Sequence, residues 1–137
     1  MTSLGSRSTD EPYNILLVED NPDTLYYLDA VLKRRGHNIT GVSTLSAARD
    51  QCQIRSFDLL LSDIELPDGS GLDLMREFAN GGAPGIAISG FGSEEDIRMS
   101  KAAGFSAHLT KPINIRRLEA LIAKALSRTD STIEQTD

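Results

Sequence analysis

Four short apolar runs in this chain end in polar residues that could act together. Ile15-Leu16-Leu17-Val18 leads into Glu19-Asp20, and Leu59-Leu60-Leu61-Ser62 leads into Asp63. Ile86-Ala87-Ile88 leads into Ser89, and Ala107-His108-Leu109-Thr110 leads into Lys111-Pro112. Carboxylates, a hydroxyl and an ammonium, once gathered, can hold a divalent cation and a phosphoryl group. Mg2+ takes hard oxygen ligands and keeps several waters. Glu19, Asp20 and Asp63 would supply carboxylates, and the main-chain carbonyl of Glu65 would complete the shell. Without a cation these carboxylates repel one another, which raises the pKa of at least one. Asp63 is the candidate nucleophile, because a carboxylate can attack phosphorus and form an aspartyl phosphate. Positioning and charge neutralisation then do the rest. The cation takes one phosphoryl oxygen, Lys111 a second as a point charge, and the Ser89 hydroxyl a third. Singly, each residue has a plainer reading: Glu19 and Asp20 as helix caps, Asp63 as the start of a turn, Lys111 as a solvated charge. Their shared place at the ends of apolar runs favours the joint reading. Pro112 leaves the Lys111–Pro112 bond open to the cis form, which X–Pro bonds alone tolerate readily.

These residues must be brought together by the elements that carry them. Asn14–Val18 reads as a strand. Asn21 then offers an N-cap, with Pro22 in the first helical turn. Leu25, Leu28, Val31 and Leu32 recur at spacings of three and four, one face of a helix that Gly36 ends. Asn38–Val42 is a short second strand. Thr44 caps a helix with Leu45, Ala48 and Cys52 on one side, where Cys52 reads as a small packed residue. Phe57–Ser62 is the third strand, its continuous apolar run suiting burial on both faces. Pro67-Asp68-Gly69-Ser70-Gly71 is turn chemistry, and Leu72, Met75 and Phe78 make the next helical stripe. Ile86–Ser89 is strand four, shortened by Gly85, which offers no side chain to pack. Ser93 caps a helix with Glu94, Glu95 and Asp96 in its first turn, where negative charge suits the helix dipole. Gly104 ends it, Ser106–Leu109 is strand five, and Ile115, Leu118, Leu121, Ile122, Ala125 and Leu126 form the last helical face. Strict alternation of five strands and five helices predicts an α/β fold: a parallel sheet covered on both sides, a three-layer sandwich. The flavodoxin-like strand order 2-1-3-4-5 is the natural arrangement of five such units. It puts the ends of neighbouring strands in one crevice.

Bulk composition narrows the function classes. The 137 residues suit one domain. A formal net charge of −6 argues against direct binding to nucleic acid, which needs a basic footprint. Cys52 is the one cysteine, so no internal disulfide forms. No apolar run approaches a membrane span, and the opening residues lack the core of a secretory signal. A cytoplasmic location is therefore expected. Residues 1–11 and 128–137 are polar and aperiodic and read as flexible tails around a folded unit at 12–127.

The motifs ILLVED, DLLLSDIELPDGSGLDL, IAISG and HLTKP together resemble the response-regulator receiver domain of two-component signalling. The likeness runs from Asn14 to about Leu126. It implies a flavodoxin-like (βα)5 fold and phosphoryl transfer from a phosphohistidine onto Asp63 with Mg2+. It implies Glu19 and Asp20 as the acidic pair, Glu65 as the carbonyl ligand, Ser89 as the switch hydroxyl and Lys111 as the lysine, with a cis bond to Pro112. One position departs. Where the family commonly carries Tyr or Phe as a rotamer switch, this chain has His108. Two readings stand: a half-exposed strand-end histidine without a special role, or a switch ring that also titrates, since an ordinary histidine pKa is ~6.5. Partners implied are a histidine kinase or a histidine phosphotransfer domain, read through the face made by helix four, strand five and helix five. A homodimer through that face is also open. The chain carries no output module, so it reads as a stand-alone receiver or a piece of a larger protein. The GFGSEEDIRMSKAAGF stretch resembles receivers of hybrid histidine kinases.

Three rivals are weaker. A haloacid dehalogenase-like phosphohydrolase wants a second aspartate where Glu65 stands. A flavin carrier wants a Ser/Thr/Gly-rich loop where Glu19-Asp20-Asn21-Pro22-Asp23 would repel the phosphate. A receiver-like interaction module that is never phosphorylated sits poorly with an intact set of site residues.

Overall fold

The computed structural model describes residues 12–127; the tails expected at 1–11 and 128–137 lie outside them. Within these bounds β1 (Asn14–Val18), α1 (Pro22–Arg34), β2 (Asn38–Val42), α2 (Leu45–Ile54) and β3 (Leu59–Asp63) alternate as expected. A two-stranded antiparallel hairpin follows, β4 (Glu65–Leu66) against β5 (Gly69–Ser70). Then come α3 (Gly71–Ala79), β6 (Gly85–Ser89), α4 (Glu94–Ala103), β7 (Ala107–Thr110) and α5 (Ile115–Ser127). The main sheet is parallel, in the order β2-β1-β3-β6-β7. That is the doubly wound order expected from the sequence, with the hairpin inserted between the third and fourth strands.

Alternation along the strands builds two cores. Ile15, Leu17, Leu59, Leu61, Ile86 and Ile88 face α1 and α5. Leu16, Val18, Leu60 and Ala87 face α2, α3 and α4. Every residue of β3 is buried, because this central strand has a helix layer on each side. Its last residue, Asp63, is therefore carried into a place where a carboxylate is costly to charge.

Caps set where the helices begin. The Asn21 side chain accepts from the Thr24 amide at 3.0 Å, Thr44 from Ala47 at 3.0 Å and Ser93 from Asp96 at 3.1 Å. Asp68, at the tip of the hairpin, adds a second cap to α2. Its carboxylate accepts from the Leu45 and Ser46 amides at 2.7 and 2.9 Å, and these bonds hold its pKa below the usual value.

Some expectations need correction. The third strand begins at Leu59 and includes Asp63; Phe57 packs in the second core before it. The last strand is Ala107–Thr110, one residue later than expected. Gly85 does not shorten strand four: it opens β6 and pairs with Leu60. A Cβ there would run into Sδ of Met75 and lie 3.1 Å from Phe105, so the position is bare because two buried side chains fill its space. Cys52 is exposed rather than packed. It sits on the rim of a groove between the last turn of α2 and α3, where the helix has run past its contact with the sheet.

Candidate functional site

The carboxyl ends of β1, β3, β6 and β7 open into one cleft lined by Asp20, Asp63, Glu65, Ser89, Phe91 and Lys111, among others. Adjacent pairing of β1 with β3 and of β3 with β6 makes this so. Glu19, directly after β1, is fully buried. Its Oε2 accepts from the Asn21 amide at 3.0 Å and from Lys111 Nζ at 3.2 Å. Asp20 is exposed at the mouth. Glu19, Asp20 and Asp63 each offer an oxygen within 4.8 Å of the others.

Lys111 reaches across the sheet edge from the end of β7. Its Nζ lies 3.2 Å from Glu19 Oε1 and 3.2 Å from Asp63 Oδ1. Those two carboxylate oxygens are buried and accept no directed hydrogen bond; only the proximity of the ammonium compensates them. Burial pushes the Asp63 pKa up to about 7; the neighbouring Glu19 carboxylate adds to that, and Lys111 opposes it. Partial burial pulls Lys111 down, but attraction to Asp63 and then Glu19 outweighs it and leaves the ammonium above its ordinary value.

Two buried acceptor oxygens without donors, in an all-oxygen set, fit a hard divalent cation. A thiolate- or imidazole-seeking metal finds no soft ligand in this cluster. The acidic group can thus coordinate a divalent ion.

The rim is built by β6 and β7. The Lys111 amide donates to Ser89 O at 2.8 Å, and the Lys111–Pro112 peptide is cis. Ser89 Oγ donates to the carbonyl of Phe91 and lies 3.0 Å from His108 Nε2. His108, partly buried, has its other ring nitrogen 3.0 Å from Ser100 Oγ. Of the residues read from the sequence, Asp20, Asp63, Glu65, Ser89 and Lys111 line this cleft, Glu19 lies against Lys111 and Asp63, and His108 meets it through Ser89.

Sequence reading missed two contributors. Gly71 opens α3 directly beneath Asp63, and a Cβ there would run into the Asp63 carbonyl oxygen. The GSG pair around Ser70 signalled a turn but not this close approach. Ser100 is a polar residue buried completely in α4. Its place on the inner side of a polar helix was the available signal.

The family model for the response regulator receiver domain matches residues 15–123. The chain belongs to that family, the receiver domains of two-component signalling. It is 35% identical over 113 residues to the response regulator protein PilR of Pseudomonas aeruginosa, covering 81% of this chain and 25% of that one. Among solved structures it superposes on a CheY-like receiver domain protein from Methanospirillum hungatei with a TM-score of 0.82 and 28% identity, covering 88% and 98% of the two chains. A Burkholderia pseudomallei response regulator, solved with a phosphorylated aspartic acid, a calcium ion and citrate, shares the fold at a TM-score of 0.76 and 22% identity. That match covers 86% of this chain and 71% of the other. The chain spans between a quarter and about half the length of such curated relatives as PilR and two Escherichia coli transcriptional regulators.

Proposed function

We propose that this chain is the phosphoacceptor of a two-component phosphorelay, taking a phosphoryl group from a phosphohistidine onto Asp63. The observation that carries this is the convergence on Asp63: two further carboxylates within 4.8 Å and a lysine ammonium at 3.2 Å. Glu19, Asp20 and Asp63, with the main-chain carbonyl of Glu65, would hold Mg2+, which when bound neutralises phosphoryl and carboxylate charge. An Asp63 oxygen forms the new bond to phosphorus as the phosphorus–nitrogen bond of the donor imidazole breaks. The departing nitrogen keeps the electron pair. Lys111 is placed to hold one phosphoryl oxygen, and Ser89 to donate to another once its hydroxyl leaves Phe91. Asp63 must be ionised to attack, and the cation and Lys111 both favour that form.

Turning Ser89 toward the phosphoryl group draws on the Gly90-Phe91-Gly92 loop and, behind it, α4 and β7. Phe91 and Met99 are exposed large apolar residues here. The face of α4, β7 and α5 is accordingly the surface that kinase, phosphotransfer domain or a second copy of the chain would read. The acidic balance of the chain disfavours direct contact with nucleic acid.

Incubation with acetyl phosphate, followed by intact-mass measurement, tests the reading. One phosphoryl group should be gained per chain in Mg2+ and none after chelation. Metal-independent labelling would contradict the carboxylate assignment, and repeated turnover of small phosphate esters would point to a phosphohydrolase instead.

A further inference from the structure

Glu19 and Asp20 follow β1 directly, and Asp63 ends β3. Glu65 instead opens the β4–β5 hairpin, so its place at the cleft depends on what holds that hairpin. The foot is tied to the main sheet. The Ile64 amide donates to the Ile88 carbonyl at 3.0 Å, and the Ile64 carbonyl accepts from the Gly71 amide at 2.6 Å. These bonds stop at Ile64. Beyond it each arm has two residues, Glu65 paired with Ser70 and Leu66 with Gly69. A lone two-stranded ribbon is marginal in water even when longer. Glu65 itself is exposed, so its own burial does not fix it either.

The tip is secured from outside the cleft. Asp68 reaches the start of α2, where one carboxylate oxygen accepts from the Leu45 amide at 2.7 Å and the other from the Ser46 amide at 2.9 Å. Two oxygens on two successive amides fix orientation as well as distance. The main chain follows closely: a Cβ on Gly69 would come within 2.6 Å of Leu45 Cδ2. Leu45 belongs to the second core, and Leu66 packs against it. α2 has a cap of its own, since Thr44 accepts from the Ala47 amide. The Asp68 bonds therefore hold the hairpin as much as they hold the helix.

We propose that Asp68 is a positioning residue for the cation site, joining the hairpin tip to α2 so that the Glu65 main chain stays at the cleft. The proposal rests on the reading of Glu65 as the carbonyl ligand. Secured at foot and tip, the arm is ordered before a cation arrives. Secured at the foot alone, it must be ordered on binding, and fixing backbone costs free energy. The coupling is reciprocal: a cation held by Glu65 should tighten the grip of Asp68 on α2.

Mg2+ titration of the full chain, followed by amide NMR, tests this. Asp68→Ala should bind Mg2+ about tenfold more weakly, the lower end of what losing a ligand-orienting residue costs. Thr44→Ala loosens the start of α2 without touching the hairpin and should bind Mg2+ as the wild type does. Undiminished affinity in Asp68→Ala, or an equal loss in Thr44→Ala, would overturn the proposal. Hydrogen exchange in the wild type gives a check that needs no variant. Saturating Mg2+ should slow exchange of the Leu45 and Ser46 amides and leave Ala47, held by Thr44, unchanged. Unaltered rates at Leu45 and Ser46, or the same slowing at Ala47, would also overturn it. A wild-type protein that takes up no Mg2+ would instead remove the cation site beneath the proposal.

Discussion

Asp63 is held between opposing influences. Burial and Glu19 favour its neutral form, and Lys111 favours its charge. Replacing Lys111 by Ala removes the one group that lowers the Asp63 pKa, so the titration of Asp63 should move further up. Phosphorylation by a small donor should fall by about 10²-fold, the cost typical of losing one preorganised donor to a developing anion. Metal affinity should change little, since Lys111 is not an oxygen ligand; rate measurements and metal titration check the two separately. The pH dependence has a definite sign. The folded Asp63 carboxyl titrates at about 7 against an ordinary value of 3.8, so between these values the folded state binds more protons than the unfolded one. Its contribution to stability is present below the unfolded pKa and is lost as pH rises through the folded pKa. In chelator, the denaturation midpoint should therefore fall between about pH 4 and about pH 7. Asp63→Asn should flatten that fall; an equal fall in the variant would place its cause elsewhere.

At the scale of elements, the sheet makes the site by bringing strand ends together, and glycine permits the close packing this needs. Gly85→Ala would press a methyl group into Met75 and Phe105. We expect a loss of about 1–3 kcal/mol, the usual cost of overpacking, measured by denaturant unfolding; a neutral result would mean that Met75 can move aside freely. Residues of this kind also mark where sequence was a limited guide. The five strands and the carboxylate–lysine convergence were legible, because each apolar run ended in its polar residue and the helical stripes between them recur at spacings of three and four; the strand order was not in the pattern and was taken from the arrangement natural to five such units. The hairpin at Glu65–Leu66 and Gly69–Ser70 read only as a turn: each arm has two residues, too few to show a period. Gly85 looked like a weakness in the strand because its filling atoms come from Met75 and Phe105, distant in sequence. Cys52 shared a helical face with Leu45 and Ala48 yet is exposed, since periodicity says which side a residue faces and not where the neighbouring layer stops. The link from His108 to Ser89 and Ser100 spans 19 and 8 residues. No local pattern could have revealed it.

As a whole molecule, the domain holds an acidic cluster inside a chain already at −6. A divalent cation should thus stabilise the entire fold. Binding to the native state alone adds about 2.7 kcal/mol at a hundred times Kd, so thermal unfolding should shift upward by several degrees in saturating Mg2+. Asp20→Asn should shrink that shift; a shift of the same size in the variant would mean that the cation binds elsewhere. Two buried carboxylate oxygens without donors are the structural reason to expect the effect. The fold is otherwise sustained by two cores that use alternate residues of the same strands. A change at the cleft therefore meets both helix layers. Ser89 and His108 connect the cleft to the α4 side through hydrogen bonds. The most direct test of the central claim is intact mass of wild type and Asp63→Asn after exposure to a small phosphodonor in Mg2+. The account predicts one phosphoryl group on the wild type and none on the folded variant; a variant labelled as fully as the wild type would contradict it.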